Sequence, residues 1–324
     1  MFSWGWFSWF KDAIELKDSK FWLNILPSVL VFGFIGVSVT ILDFWELWKP
    51  WQGIGDITTN VACNLVLGLL LVFRTNTAYE RFWQGRNHWG KITVNVRNLA
   101  REIQIQISEE IEPQKPDKKA ILKLLGAFVI TTKLYLRRQS INHELDDLME
   151  KHQIIALEKA NNPPLEICFW ISTYLQQAYQ QQKIDSNQQV MMISLLNELV
   201  AGLTSCDRIR TTPIPFFYRS FIKKLLLIYC GFLPFSLVDK IHWWTGFTVI
   251  FISLILLSVE EIATQIENPF GNDDPDLPLD EICQTILNNI NSVIAFGENQ
   301  YKNQDFCLPH LSENLSVEMI DKSL

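Results

Sequence analysis

The strongest constraint on this sequence is that it contains charge-free runs long enough to cross a bilayer. Residues 21–42 hold no Asp, Glu, Lys or Arg, and about 20 apolar residues in a helix span a hydrocarbon core. Backbone amides in lipid must bond within their own segment, so each such run is expected to be a helix. Pro27 falls near the start of this run, where a first turn or a kink accommodates it. Residues 57–73 form a second run, shorter and more polar, with Asn60 and Asn64 among its apolar residues. A third covers residues 225–238 and extends toward Phe216, because the aliphatic stems of Lys223 and Lys224 can lie along apolar surface with their ammonium groups in water. Pro234 is expected to kink it. Asp239 and Lys240 read as a tight turn, and residues 241–259 as a fourth run closed by Glu260 and Glu261. The expectation is an all-α membrane protein with four transmembrane helices per subunit.

The intervening sequence is of another kind. Arg74, Arg81, Arg86, Lys91, Arg97 and Arg101 follow the second run against few acids, which places that end in the cytoplasm by the positive-inside rule. Four crossings then leave both termini cytoplasmic in a multi-pass protein of a bacterial inner membrane or an organellar membrane. Residues 120–138 are apolar enough to suggest a span, but Lys123 and Lys133 interrupt them and the one-sided pattern suits a buried soluble helix. Residues 165–182 and 187–208 read as amphipathic helices that could not cross unaided. The middle of the chain is therefore expected to be a helical cytosolic domain. Residues 1–10, with alternating Trp, suit a membrane interface, residues 11–20 a charged approach, residues 43–56 an interfacial loop and residues 109–119 a loop. The tail carries an acidic turn, a helix near 279–295 and an irregular end. The organisation reads as 1–20 interfacial segment, 21–80 first two membrane helices, 81–212 cytosolic helical region, 213–261 last two membrane helices and 262–324 cytosolic C-terminal segment, all one integrated domain.

Composition removes several function classes. Hydrophobic residues make up 48% while mean hydropathy is only +0.09, as expected of part membrane and part water-exposed protein. The Trp count of 12 and Phe count of 21 fit interfacial belts and aromatic packing. A formal charge of −7 and the lack of any nucleic-acid motif argue against a nucleic-acid partner. Cys63, Cys168, Cys206, Cys230, Cys283 and Cys307 are scattered singly, as expected of thiols in a reducing compartment. The histidines His88, His143, His152, His242 and His310 show no metal spacing, and His143 with Glu144 reads as a solvated face. With no phosphate-binding Gly-rich loop and no nucleophile elbow, neither an enzyme nor an organic cofactor is expected.

The second run carries the functional signal. At 3.6 residues per turn, Leu65, Leu69 and Phe73 fall nearly on one line, with Asn60 and Asn64 alongside. A polar stripe continued by an apolar one fits a pore wall with a constriction that dewets. It equally fits a core helix whose asparagines bond neighbouring helices, and pattern alone favours that reading. The sequence that follows, Arg74-Thr75-Asn76-Thr77-Ala78-Tyr79-Glu80-Arg81-Phe82-Trp83-Gln84-Gly85-Arg86 with Trp89-Gly90, resembles the signature of the bestrophin family of ion channels. Ile266-Glu267-Asn268-Pro269-Phe270-Gly271-Asn272-Asp273-Asp274 resembles the family's Asn-Pro-Phe-Gly acidic motif, and Ser194-Leu195-Leu196-Asn197-Glu198 resembles part of a cytosolic helix of the same family. The three blocks lie in the family's order and span most of the chain, and residues 276–280 look more bacterial than animal.

The resemblance implies a homopentamer in the lipid bilayer with one central pore, lined in the membrane by the second helix of each subunit. It places the neck or gate on Leu65, Leu69 and Phe73, with Leu at two positions where the family usually has Ile or Phe. Counting back from residue 194 places a cytosolic aperture on Val190. The implied function is passive conduction of small anions, chloride foremost, from a vestibule near Asn60 and Asn64. Phe ring edges at the neck carry partial positive charge, and a basic run from Arg74 facing the pore would concentrate anions. A cation-conducting homologue, a carrier of bicarbonate or other anions, and a structural scaffold are the alternatives. Asp273, Asp274 and Asp276 offer carboxylates for Ca²⁺, but Asn272 and Pro275 stand where the animal calcium clasp is acidic, so a solvated turn is the preferred reading.

Overall fold

Every regular element among the described residues is a helix. The computed structural model describes residues 19–45, 58–107 and 118–302; the readings for 1–10, most of 11–20, the greater part of 43–56 and 109–119, and the chain end lie outside them. In chain order the helices are α1 (Ser19–Phe44), α2 (Val61–Gln106), α3 (Lys118–Leu136), α4 (Lys151–Lys159), α5 (Pro163–Gln180), α6 (Ser186–Thr211), α7 (Phe216–Ile241), α8 (Thr245–Ile266) and α9 (Leu279–Lys302). Short 3₁₀ turns occupy His143–Leu145 and His242–Trp244. The chain divides into two compact units, residues 1–87 with 207–277 and residues 88–206 with 278–324.

The first unit contains the expected apolar helices, with two changes at their ends. Pro27 lies two turns inside α1, because the helix begins at Ser19. α7 continues through Asp239 and Lys240, and the reversal comes at His242, whose φ of 42° lies in the left-handed region. Asp239 and Lys240 are exposed on the last turn of α7, where polar side chains reach water without ending the helix and a Lys suits the negative end of its dipole. α1 and α8 pack closely because glycines remove side chains between them. A Cβ on Gly33 would lie 2.5 Å from Ile250 Cγ1, and one on Gly36 would lie 3.1 Å from the Gly246 Cα; small residues bring membrane helices together in this way. Phe32, Cys230, Leu233 and Val249 form the core between α1, α7 and α8. Leu67 and Leu71 of α2 pack on Ile222 and Leu226 of α7.

The second unit is built around α3, which is buried on nearly every face through Leu122, Leu125, Phe128 and Leu134. The run expected at 120–138 is thus a core helix, as its lysines indicated, ending at Leu136 before a turn at Arg138. α9 covers α3 with a stripe of Cys283, Ile286, Ile290 and Ile294, spaced three and four apart as an amphipathic helix requires. Gly126 permits the contact, since a Cβ there would lie 2.7 Å from Leu287 Cδ2. α6 presents Met192, Leu196, Leu199, Leu203 and Cys206 to the interior of this unit. Sequence 186–211 is nonetheless long and apolar enough to cross a membrane by length and composition, as are Phe21–Phe44, Val61–Gln106 and Phe216–Ile266. Asn197 and Glu198 interrupt its middle on an exposed side, and its most apolar stretch has a mean hydropathy of 1.3 against 2.4 for the first run.

Two lysines of α3 do structural work. Lys118 Nζ donates to the carbonyls of Gln104 and Ile107, satisfying acceptors at the end of α2 that have no helical partner. Lys133 Nζ donates to Glu144 and, at 2.7 Å, to Asp280, which also accepts from Arg137. Glu144 is therefore not on a solvated face as read from sequence; it closes the 3₁₀ turn onto α3. Burial alone would lower the Lys133 ammonium, but bonds to Asp280 and Glu144 outweigh it and hold it above its ordinary value. Burial likewise works against the two carboxylates, and Lys133 reverses it, holding both below their ordinary range. The carboxylates contribute stability that is complete above the ordinary carboxylate range and lost as pH falls through their depressed values. Lys133 contributes stability present below the ordinary lysine value and lost only as pH rises through its raised one. Because Asp280 is largely exposed, Lys133→Ala is expected to destabilise by only about 1–3 kcal/mol. A thermal melt in detergent should also show a shallower loss of stability in acid for the variant than for the parent.

Candidate functional site

α2 is one continuous helix of 46 residues, running through the Arg74–Trp83 block without a break. Asn60 precedes it, and its Oδ1 accepts from the Ala62 N–H at 2.9 Å, an N-cap that satisfies one of the first orphan donors. In the first unit, Leu67, Leu71, Arg74 and Ala78 are buried, a single face at four- and three-residue spacing. The face predicted to form a neck points away from that packing: Leu65, Leu69 and Phe73 are 62%, 46% and 57% exposed. Asn64 is exposed alongside them. An apolar stripe of this size left uncovered by its own subunit marks contact with other copies, with lipid or with a pore lumen.

Arg74, directly after the stripe, is not on that exposed face. It is fully buried, with Nη2 2.8 Å from Glu267 Oε2 and Nε 3.6 Å from Glu260 Oε2. Its charge is therefore matched internally, and the expectation that a basic run starting at Arg74 faces a pore is corrected at this residue. Arg81, two turns on, donates from Nη1 to Thr212 O and from Nη2 to Ile209 O, each at 2.7 Å, and from Nε to Glu267 O. One guanidinium thus caps the orphan carbonyls at the end of α6 and ties them to the residue that also pairs with Arg74. Tyr79, Glu80 and Trp83 of the same block are exposed.

The Asn-Pro-Phe-Gly block packs on the same helix. A Cβ on Gly85 would lie 2.8 Å from Pro269 Cγ and 3.2 Å from Phe270 Cζ, and Phe270 is 1% exposed. Leu277 N–H donates to Pro269 O to close the loop. The first two sequence blocks are therefore one structural device: a helix face carrying Arg74, Arg81 and Gly85, and a loop after α8 that supplies Glu267, Pro269 and Phe270. In the second unit, the block at 194–198 lies on α6, where Leu196 is buried and Val190 is 66% exposed. Sequence reasoning missed Glu260 and Glu267 as partners of Arg74. The available signal was that Glu267 sits inside one motif and Arg74 inside another.

A model of the bacterial/fungal bestrophin proteins matches residues 7–292. The chain belongs to the bestrophin family. It is 45% identical over 291 residues to a "voltage-dependent anion channel-forming protein" of Nostoc sp. strain PCC 7120, covering 90% of this chain and 93% of that one. A protein of the same descriptive name from Escherichia coli K12 is 27% identical over 289 residues, covering 86% and 87%. The crystal structure of a bacterial bestrophin homologue from Klebsiella pneumoniae superposes with a TM-score of 0.74 at 27% identity, covering 83% of this chain and 98% of that one. The family, with the described helices long and apolar enough to cross a membrane in the first unit, makes the chain a multi-pass membrane protein.

In this bestrophin the acidic turn folds on itself. Asp276 Oδ2 accepts from the Asp273 N–H at 2.8 Å, and Asp276 N–H donates back to Asp273 O. A Cβ on Gly271 would collide with Asp276 Oδ2, so a larger residue there would push that carboxylate out of the turn. Among the described residues no three His, Cys, Asp or Glu side chains gather closely enough to hold a metal ion. The Gly85 contact carries a separate prediction. Gly85→Ala gains helix propensity, yet pushes a methyl into a proline ring that cannot swing aside; a net loss of about 1–3 kcal/mol is expected, read as a lower melting temperature.

Proposed function

We propose that this bestrophin is a homopentameric channel that conducts small anions, chloride foremost, passively through a central pore. The observation that carries the proposal is the stripe of Leu65, Leu69 and Phe73, exposed by a helix whose opposite face is fully committed to its own subunit. Copies of that stripe around an axis would make an apolar constriction that passes ions when wetted and wide and blocks them when dry. Asn64 would line the approach, and Asn60 would share that role with its capping bond. Val190 would form a second, cytosolic aperture, in a helical cytosolic domain made by the second unit, with both termini on that side.

Anion preference draws support from the descriptive names of the Nostoc and Escherichia relatives and from the positive edges of Phe73 rings facing a lumen. Cation conduction has its own supporting observation, the neutralisation of Arg74 by Glu260 and Glu267, which removes one basic group from the anion argument. Single-channel recording in a planar bilayer tests the channel reading. Discrete unitary steps are expected; slow, saturable flux without steps would identify a carrier, and silence under all voltages a scaffold. Because Asn272 and Pro275 stand where the animal calcium clasp is acidic, chelating Ca²⁺ should leave the open probability unchanged in the same recordings.

A further inference from the structure

The exposed face of α2 does not end at Phe73. At about 100° per residue, Asn76 and Glu80 fall within about 20° of the direction set by Leu69, and both are exposed. Within the part of α2 that belongs to the first unit, which ends at Asn87, the charged side chains are Arg74, Glu80, Arg81 and Arg86. Arg74 is buried between Glu260 and Glu267, and Arg81 is held by the carbonyls of Ile209 and Thr212. Arg86 is exposed but lies about 120° round the helix from Glu80. Glu80 is thus the charge that this part of α2 carries on the side of the apolar stripe. No hydrogen bond or ion pair engages its carboxylate among the described residues.

Glu80 lies two turns after Phe73, about 10 Å along the helix axis. Helical side chains lean toward the N-terminus of their helix, so the carboxylate is carried back toward the phenyl ring. We infer that Glu80 is a specificity-determining residue: its carboxylates, one from each subunit, form an acidic ring at the Arg74 end of the neck that attracts cations and limits the preference for anions. The inference rests on the reading of Leu65, Leu69 and Phe73 as the neck of a channel. Rings of carboxylates select for cations in pores, and charges between low-dielectric walls act on a passing ion more strongly than the same charges in open water. The ring opposes the positive edges of Phe73, so the two set the selectivity between them. Changing Glu80 should alter which ion passes without altering how often the neck opens.

Reversal potentials of the purified full chain and of Glu80→Gln, Glu80→Asp and Glu80→Lys, in a planar bilayer under a KCl gradient, test the inference. Glu80→Gln keeps the shape and removes the charge, and should raise the chloride-to-potassium permeability ratio about threefold or more. Glu80→Lys should raise it about tenfold or more, and Glu80→Asp, which keeps the charge, should stay near the parent. The effect of Glu80→Gln should shrink in about 1 M salt, where charges are screened beyond about 3 Å; a change of pore shape would not respond in that way. Should Glu80→Lys fail to assemble, Glu80→Gln against Glu80→Asp carries the test, since both substitutions are small and the side chain is exposed. A parental ratio in Glu80→Gln, or Glu80→Asp moving as far as Glu80→Gln, would overturn the inference and leave the channel reading intact. A parent silent at every voltage would refute the channel reading itself, and the role of Glu80 with it.

Discussion

Arg74→Met should destabilise the first unit by about 3–5 kcal/mol, a large drop in melting temperature and in the yield of assembled protein. The magnitude follows from what remains. Glu260 and Glu267 are nearly as buried as the arginine, so the variant strands two carboxylates in a low-dielectric interior without their cation. Combining Arg74→Met with Glu260→Gln and Glu267→Gln should recover much of the loss, because a neutral set of similar volume carries no charge-burial penalty. Glu267→Gln alone should be milder, since Arg74 keeps Glu260. A single Arg74→Met variant that melts like the parent would show that the pairing contributes little to holding α2 against α8.

The neck gives the second large effect. Replacing Leu65, Leu69 and Phe73 together with Ala should leave a leaky channel with an open probability that no longer closes fully. Each 1.4 kcal/mol removed from a wetting barrier raises passage about tenfold, and trimming three apolar rings at once removes both side-chain bulk and the surface that repels water. Because these side chains are exposed on the subunit, the core of the first unit should survive. Leu67→Ala and Leu71→Ala, on the buried face of the same helix, are expected to behave oppositely, each destabilising by roughly 2–5 kcal/mol without opening the pore. Unchanged open probability in the triple variant would refute the gate assignment.

Much of this architecture was legible because charge is so costly in lipid. The run at 21–42, the return at 216–259 and the lysine-marked core helix α3 each announce their surroundings by which residues they exclude. The exposed stripe was legible too, as i, i+4, i+8 spacing, and the structure adds that Leu67, Leu71 and Arg74 take the subunit's packing face. What the sequence concealed is long-range pairing. Arg74 looked like one member of a basic run, and nothing local reveals that Glu260 and Glu267 neutralise it from the far end of the chain. Glu144 likewise read as surface charge until Lys133 met it. The continuity of α2 was hidden by a change of composition from apolar to Arg- and Asn-rich, which alters a helix's surroundings without ending it. α6 posed the reverse case, a helix apolar enough to cross a membrane that buries the face of Met192, Leu196, Leu199 and Leu203 in the second unit.

The reversal potential of the purified protein in a planar bilayer under a KCl gradient tests the central claim most directly. A value near the chloride equilibrium potential is predicted, with Phe73 at the neck and the exposed basic residues after Arg74 favouring anions over potassium. A value near the potassium equilibrium potential would contradict the account, and would mean that the protein's carboxylates, with Arg74 already neutralised, set the selectivity.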